Sequence, residues 1–225
     1  MNEDHAVATT RLNEEIRRKY HKFARWYDLL EGVPEVCGVK QLRRRLLQRA
    51  SGRVLEIAVG TGKNLRYYQK TCQITGVDLS PAMLKMARKR AGRLGVQATF
   101  LEMDAAILAF PDHCFDTVVD TLALCTFPDP VAVLREMARV CRKDGRILLL
   151  EHGRSDREWL GHWQDRHADR HAKRLCCHWN RKPLDLVSEA GLTLTSAQRS
   201  FFGIFHVLEA NPARQLSVAG TLNTA

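Results

Sequence analysis

Three carboxylates stand at the ends of successive aliphatic runs, where a folded chain could turn them toward a common ligand. Glu56 lies in the segment from Val54 to Gly62, which reads as a strand followed by a glycine-rich turn and a helix start. Glycine lets backbone approach a ligand closely, and the next helix offers free N–H groups. A carboxylate at that position suits a cationic amino acid moiety and would repel a dinucleotide pyrophosphate. Asp78 ends the next run, Gln73–Asp78, and can accept hydrogen bonds from both hydroxyls of a ribose. Asp104, after a third run, can accept an exocyclic adenine amine. Open α/β sheets bind ligands at the carboxyl ends of their strands, so such a series points to a nucleoside-containing, cationic ligand.

These residues need a sheet to position them. Val54–Ala58, Gln73–Asp78, Ala98–Met103, Thr117–Thr121 and Ile147–Glu151 read as strands, alternating with helical stretches at Lys63–Lys70, Pro81–Leu94 and Pro130–Cys141. That alternation predicts a parallel, doubly wound sheet. Ser80 and Pro81 are an N-cap and first-turn pair, and Met83, Leu84, Ala87, Ala91 and Leu94 recur at helical spacing. Two helices, Thr10–Leu30 and Val39–Ala50, are predicted to precede the sheet. The second carries Arg43, Arg44, Arg45 and Arg49, read as a solvated face. After Glu151 comes a polar insertion, Gly153–Trp179, then a helix at Pro183–Glu189 and edge strands at Leu192–Gln198 and Gly203–Ala210. This divides the chain into an N-terminal helical extension (1–50), a nucleotide-binding α/β domain (51–211, with the insertion at 153–179) and a flexible tail (212–225).

The ordered segments Glu56–Gly62, Asp78–Leu84, Asp104, Phe115–Pro130 and Leu134–Gly145 resemble the motifs of class I S-adenosylmethionine-dependent methyltransferases. More narrowly they resemble the group containing ubiquinone/menaquinone-biosynthesis methyltransferases, phosphatidylethanolamine N-methyltransferases and thiol S-methyltransferases. The resemblance implies a Rossmann-like α/β fold with a seven-stranded, mostly parallel sheet whose last strand is antiparallel, and S-adenosylmethionine as cofactor. It implies cofactor contacts from Glu56, Gly60, Gly62, Asp78 and Asp104, with Leu79, Ala105 and Thr121 beside them at the same strand ends. Ala58 stands where that family usually has glycine, which backbone with negative φ would tolerate. Tyr27, in an aromatic-Asp segment similar to one that folds over the cofactor in that group, is the candidate lid residue.

Methyl transfer from a sulfonium is an in-line displacement in which the cofactor carries the activated group, so alignment and exclusion of water matter more than a catalytic triad. A base is needed only for an acceptor that must lose a proton. Asp120, among apolar neighbours that would raise its pKa, and His152, just past the fifth strand, are the candidates. Cys125 reads as a packed thiol. In the insertion, His167 and His171 lie one helical turn apart, but no zinc signature is present and no metal site is expected. Trp159 and Trp163, also one turn apart, could roof an apolar acceptor pocket or rest on a membrane surface.

The resemblance suggests as acceptor a thiol, a phospholipid amine or a quinone-precursor ring carbon, with N or S attack favoured. An RNA methyltransferase and a non-catalytic binding protein are the competing classes. The net charge of +10 is spread along the chain with no basic tail, which speaks against a dedicated nucleic-acid arm. The seven cysteines follow no disulfide framework, no apolar run approaches a membrane span, and no targeting segment is evident. A cytoplasmic protein, acting on a small molecule or lipid with possible peripheral membrane contact, is the expectation.

Overall fold

The computed structural model describes residues 12–19 and 38–212. A short helix, α1 (residues 12–19), is followed by α2 (Lys40–Leu47). The central sheet is built from β1 (Arg53–Ile57), β2 (Gln73–Asp78), β3 (Ala98–Glu102), β4 (Phe115–Thr121), β5 (Cys141–His152), β6 (Thr193–Ser200) and β7 (Phe205–Asn211). The helices between them are α3 (Pro81–Leu94), α4 (Pro130–Val140), α5 (Glu158–Leu175) and α6 (Pro183–Glu189). The spatial order is β3-β2-β1-β4-β5-β7-β6. The first five strands run parallel, and β7 enters antiparallel between β5 and β6. This is the predicted seven-stranded Rossmann-like sheet.

Strand alternation sorts the core into two layers. Leu55, Ile57, Val118, Ile147 and Leu149 point to the face covered by α4 and α6, where Leu134, Met137 and Val187 pack. Val54, Val119, Leu148 and Leu150 point to the opposite face, against Leu46 and Leu47 of α2 and Leu84 and Ala87 of α3. The helices over these layers start where the sequence caps them. Ser80 Oγ accepts the Met83 N–H at the head of α3, and Asp129 Oδ1 accepts the Ala132 N–H at the head of α4, each followed by proline.

Two expectations change. Lys63–Lys70 does not form an α-helix. It makes one 3-10 turn, Lys63–Arg66, because its side chains are held by tertiary bonds: Asn64 and Tyr68 reach Glu56, and Gln69 reaches the carbonyls of Gln48 and Ala50. The arginines of α2 are also not one solvated face. Arg43 is 3% exposed and turns inward, for reasons given below. Of the predicted Thr10–Leu30 helix, residues 12–19 are helical and the remainder lies outside the described residues, as do Tyr27 and the tail beyond residue 212.

The insertion is organised around α5. Buried Gln164 accepts the Ser155 N–H at 2.7 Å and donates to the carbonyls of Gly153 and Trp179, while Trp179 Nε1 donates back to Gln164 O. Arg154 ties the start of the insertion to Glu158 and Asp165. These bonds fix α5 over the carboxyl end of β5.

Candidate active site

The turn after β1 runs through left-handed backbone, with φ of +47° at Ala58, +55° at Gly60 and +76° at Gly62. The negative φ expected at Ala58 is therefore not observed, and its methyl group sits in a conformation that costs an L-residue about 1–2 kcal/mol. A β-carbon on Gly62 would lie 2.7 Å from Leu65 Cδ1 and 3.2 Å from Ala87 Cα, so that glycine serves the close approach of the turn to α3. Gly60 instead faces the carboxyl ends of the strands, its N–H donating to Asp78 Oδ2 at 2.9 Å.

A cavity of about 80 Å³ opens at this edge, lined at one end by Ala58, Gly60, Asp78 and Leu79. Ala105 and Met103 form a wall beyond β3, Thr121 and Leu122 a wall after β4, and Ile16, Phe127 and Pro128 an apolar far end. Asp78 is held from both sides, Oδ1 accepting the Ser80 N–H at 2.8 Å. Burial pushes its carboxyl up to about 6, against the pull of the Ser80 and Gly60 N–H groups. Asp104 accepts the Ala106 N–H through Oδ1, and its Oδ2 is met by Asn13 Nδ2 of α1 at 2.7 Å. The α1 helix thus lies against the cavity, with Arg17 paired to Glu102.

Glu56 points to the α2/α3 face, behind the turn. It accepts Tyr68 Oη and Asn64 Nδ2, each at 2.8 Å. Asn64 also donates to Thr121 Oγ1, and Arg43 Nη1 donates to Asn64 Oδ1 at 2.7 Å and to Thr121 Oγ1 at 2.9 Å. Arg43 is buried because this network receives it. Burial pushes the Glu56 carboxyl up to about 7, opposed by the Tyr68 and Asn64 hydrogen bonds and the Arg43 charge. Glu56, Arg43, Asn64, Lys63 and Thr121 line a small second cavity that shares Ala58, Gly60, Thr121 and Leu122 with the first. From the sequence Arg43 reads only as part of a solvated face, and Asn64 and Tyr68 carry no functional expectation. The only hint there was the i,i+4 placement of Asn64 and Tyr68 after the glycine turn.

Asp120 is fully buried on the opposite face of the sheet, beside Glu151 of β5. As carboxylates both are acceptors only, and neither Asp120 oxygen nor Glu151 Oε1 finds a donor. A carboxyl protonated on either side would supply the donor the pair lacks. Burial drives both carboxyls upward, and the neighbouring Asp120 charge drives Glu151 further. Glu151 Oε2 accepts the Leu124 N–H, tying the pair to the Leu122–Leu124 stretch whose first two residues line the cavity beside Asp78. Asp120 itself does not line it.

His152 was expected beside the cofactor crevice. It instead lines a separate chamber of about 290 Å³ with Cys177, Trp163, His171, Trp179 and Phe205. Cys177 Sγ lies 3.5 Å from His152 Nε2. Its thiol is drawn downward first by a hydrogen bond from Cys125 and then by His152. His171 stacks on Trp179 with ring centroids 4.1 Å apart, and Trp163 packs on the same indole. Trp163 thus lines this chamber, whereas Trp159 is 71% exposed. His167 bonds back to the Trp163 carbonyl and takes no part in the chamber.

The lining of the cavity after β1, β2 and β4 suits an S-adenosyl ligand. Asp78 faces it, Asp104 follows β3 beside the Met103 and Ala105 wall, Leu79, Met103 and Ala105 offer apolar contact to a flat base, and the second cavity leads to a buried carboxylate. A family model described as a methyltransferase domain matches residues 55–149. Phosphatidylethanolamine N-methyltransferase of Cereibacter sphaeroides is 43% identical over 108 residues, 47% of this chain and 53% of that protein. Demethylmenaquinone methyltransferase of Thermus thermophilus is 34% identical over 139 residues, 59% of this chain and 63% of that protein. The aligned part of the chain thus spans about half to two thirds of the length of these curated relatives. A solved S-adenosylmethionine-dependent methyltransferase of Thermotoga maritima, described as a possible histamine N-methyltransferase, shares the fold. Its TM-score is 0.66 at 22% identity, covering 88% of this chain and 99% of that one. Sheet order, cavity and relatives agree: residues 55–149 carry a class I S-adenosylmethionine-dependent methyltransferase domain, and the chain is similar to phosphatidylethanolamine N- and demethylmenaquinone methyltransferases.

Proposed function

We propose that the protein transfers a methyl group from S-adenosylmethionine to a small or lipophilic acceptor through a nitrogen or sulfur nucleophile. The observation that carries this reading is the apolar share of the cavity lining, Ile16, Leu122, Phe127 and Pro128, beside which the lining cation is Arg17, paired to Glu102. When bound, the cofactor supplies the activated methyl group. Asp78 would take the ribose hydroxyls, and Asp104 the adenine amine once Asn13 yields its Oδ2. Leu79, Met103 and Ala105 would sandwich the base. Ala58, Gly60 and Thr121 would border the methionine part, with Glu56 supplying negative charge from behind through the Asn64 and Arg43 network. Asp120 and Glu151 act as positioning residues for the Leu122–Leu124 stretch. The apolar wall orients the acceptor and excludes water, which is the protein's main contribution to an in-line displacement.

A lipid acceptor is favoured by a second feature at the same edge. Phe201 and Phe202 project from the β6–β7 turn, 44% and 63% exposed, and the Phe202 carbonyl is bonded by Ser155 and Asp156 just before α5, which carries Trp159. Exposed aromatics grouped at a ligand-binding edge suit a membrane interface. No helix of the described residues is long and apolar enough to cross a membrane.

The test is transfer of isotopically labelled methyl from the cofactor to alkyl thiols, to phosphatidylethanolamine in vesicles and to a quinone precursor, with Asp78→Ala as control. Label in a thioether or an N-methyl amine, lost in the control, is expected. Label found only on ring carbon would overturn the N/S assignment, and no transfer to any acceptor would count against the enzyme reading.

A further inference from the structure

Cys125, His152 and Cys177 come from the loop after β4, the last residue of β5 and the turn after α5, yet Cys125 Sγ, His152 Nε2 and Cys177 Sγ all lie within 4.8 Å of one another. Both cysteines are free thiols. The separation of Cys177 Sγ from His152 Nε2 is 3.5 Å. A tetrahedral zinc ion with Zn–S of about 2.3 Å and Zn–N of about 2.0–2.1 Å spans an S···N edge of about 3.5 Å, so the pair already stands at ligand spacing.

The backbone around the three donors is fixed by other bonds. The His178 N–H donates to Cys125 O at 2.8 Å, joining the two cysteine-bearing segments directly. His171 Nδ1 lies 2.9 Å from the Cys177 carbonyl, and Arg181 Nη1 donates to Leu124 O. His152 is held in register opposite Phe205. Cys125 is buried, while His152 and Cys177 line the aromatic chamber. One side of the cluster is therefore closed by protein and the other opens on a space.

We propose that Cys125, His152 and Cys177 bind a thiophilic divalent cation, with Zn²⁺ the ion that fits, and leave its fourth position to a ligand entering from the chamber. Two thiolates and a neutral imidazole balance the charge of a dication and match its preference for sulfur and nitrogen. Arg181 is the cation that otherwise offsets the sulfurs. Three protein ligands with one open position is the arrangement of reactive rather than purely structural zinc sites. The site does not depend on which acceptor is methylated.

The full chain, produced with added zinc and purified without chelator, should carry about one zinc per chain by elemental analysis, falling below about a tenth in Cys177→Ser and in His152→Ala. Cobalt loaded into wild-type protein should give thiolate-to-metal charge-transfer absorption with the strong visible bands of four-coordination. Both variants should still bind S-adenosylmethionine calorimetrically, which separates loss of metal from loss of fold. If Cys177→Ser does not fold, the cobalt spectrum of the wild type decides. Wild-type protein without zinc and without cobalt–thiolate absorption would overturn the proposal. Undiminished zinc in both variants, or a Cys125–Cys177 disulfide as the resting form of metal-free protein, would do so equally.

Discussion

At the scale of single residues, the cofactor end of the cavity concentrates charge that burial resists. Asp78→Ala removes hydrogen bonds to a charged group, each about 1.5–3 kcal/mol, so affinity for S-adenosylmethionine should fall about tenfold to a hundredfold in calorimetry. Ala58→Gly relieves left-handed strain of about 1–2 kcal/mol, partly offset by the added freedom of glycine in the unfolded chain. A small rise in melting temperature with cofactor affinity kept or improved is expected, and a fall in both would mean that the methyl group makes a contact worth more than its strain. The carboxylates also set a pH dependence. Glu56 and Asp78 titrate near 7 and 6 in the folded chain, against ordinary values of 4.5 and 3.8. Between those values the folded chain holds protons that the unfolded chain has lost, so stability is greatest below the lower values and declines as pH rises through the raised ones. Urea denaturation of the cofactor-free chain should show a loss on the order of 1–3 kcal/mol per group from pH 5 to pH 8. Glu56→Gln should flatten that slope, and a stability that climbs over the range would contradict the assignment.

At the scale of elements, the helices that cover the sheet are the parts most open to quantitative test. Asp129→Ala removes the α4 cap and should cost about 1 kcal/mol. Leu134→Ala, in the layer beneath α4, should cost about 2–5 kcal/mol by denaturant titration. The same elements show what the sequence reveals and why. Strand ends at Asp78 and Thr121 and the cap Ser80 are legible because local chemistry decides them: alternation, a capping side chain, a following proline. Lys63–Lys70 was misread because helical periodicity there records contacts with Glu56 and α2 rather than backbone bonds. Arg43 looked solvated for a related reason: an arginine flanked by two others shows its burial only once its acceptors, Asn64 and Thr121, are in place. The cluster of Cys125, His152 and Cys177 was invisible in a linear search because its donors lie on three separate segments joined only by the fold.

At the scale of the whole molecule, the carboxyl edge of the sheet gathers cavity, chamber and exposed aromatics on one side. Trp159→Ser combined with Phe202→Ser should lower cosedimentation with anionic phospholipid vesicles while leaving cofactor affinity intact, and unchanged sedimentation would remove the membrane role of this edge. The same sheet also separates two buried acid groups, Glu56 on the α2/α3 face and the Asp120–Glu151 pair on the other, and the Glu56 charge is felt through it by Asp120. A cationic ligand that ionises Glu56 therefore strengthens the hold on the proton behind the sheet while expelling the one in front. At pH 7 Glu56 is about half protonated, so cofactor uptake should release up to about half a proton. The apparent binding heat would then differ between Tris and phosphate by that fraction of the difference in their ionisation enthalpies, making the buffer itself a reporter of charge moving inside the sheet.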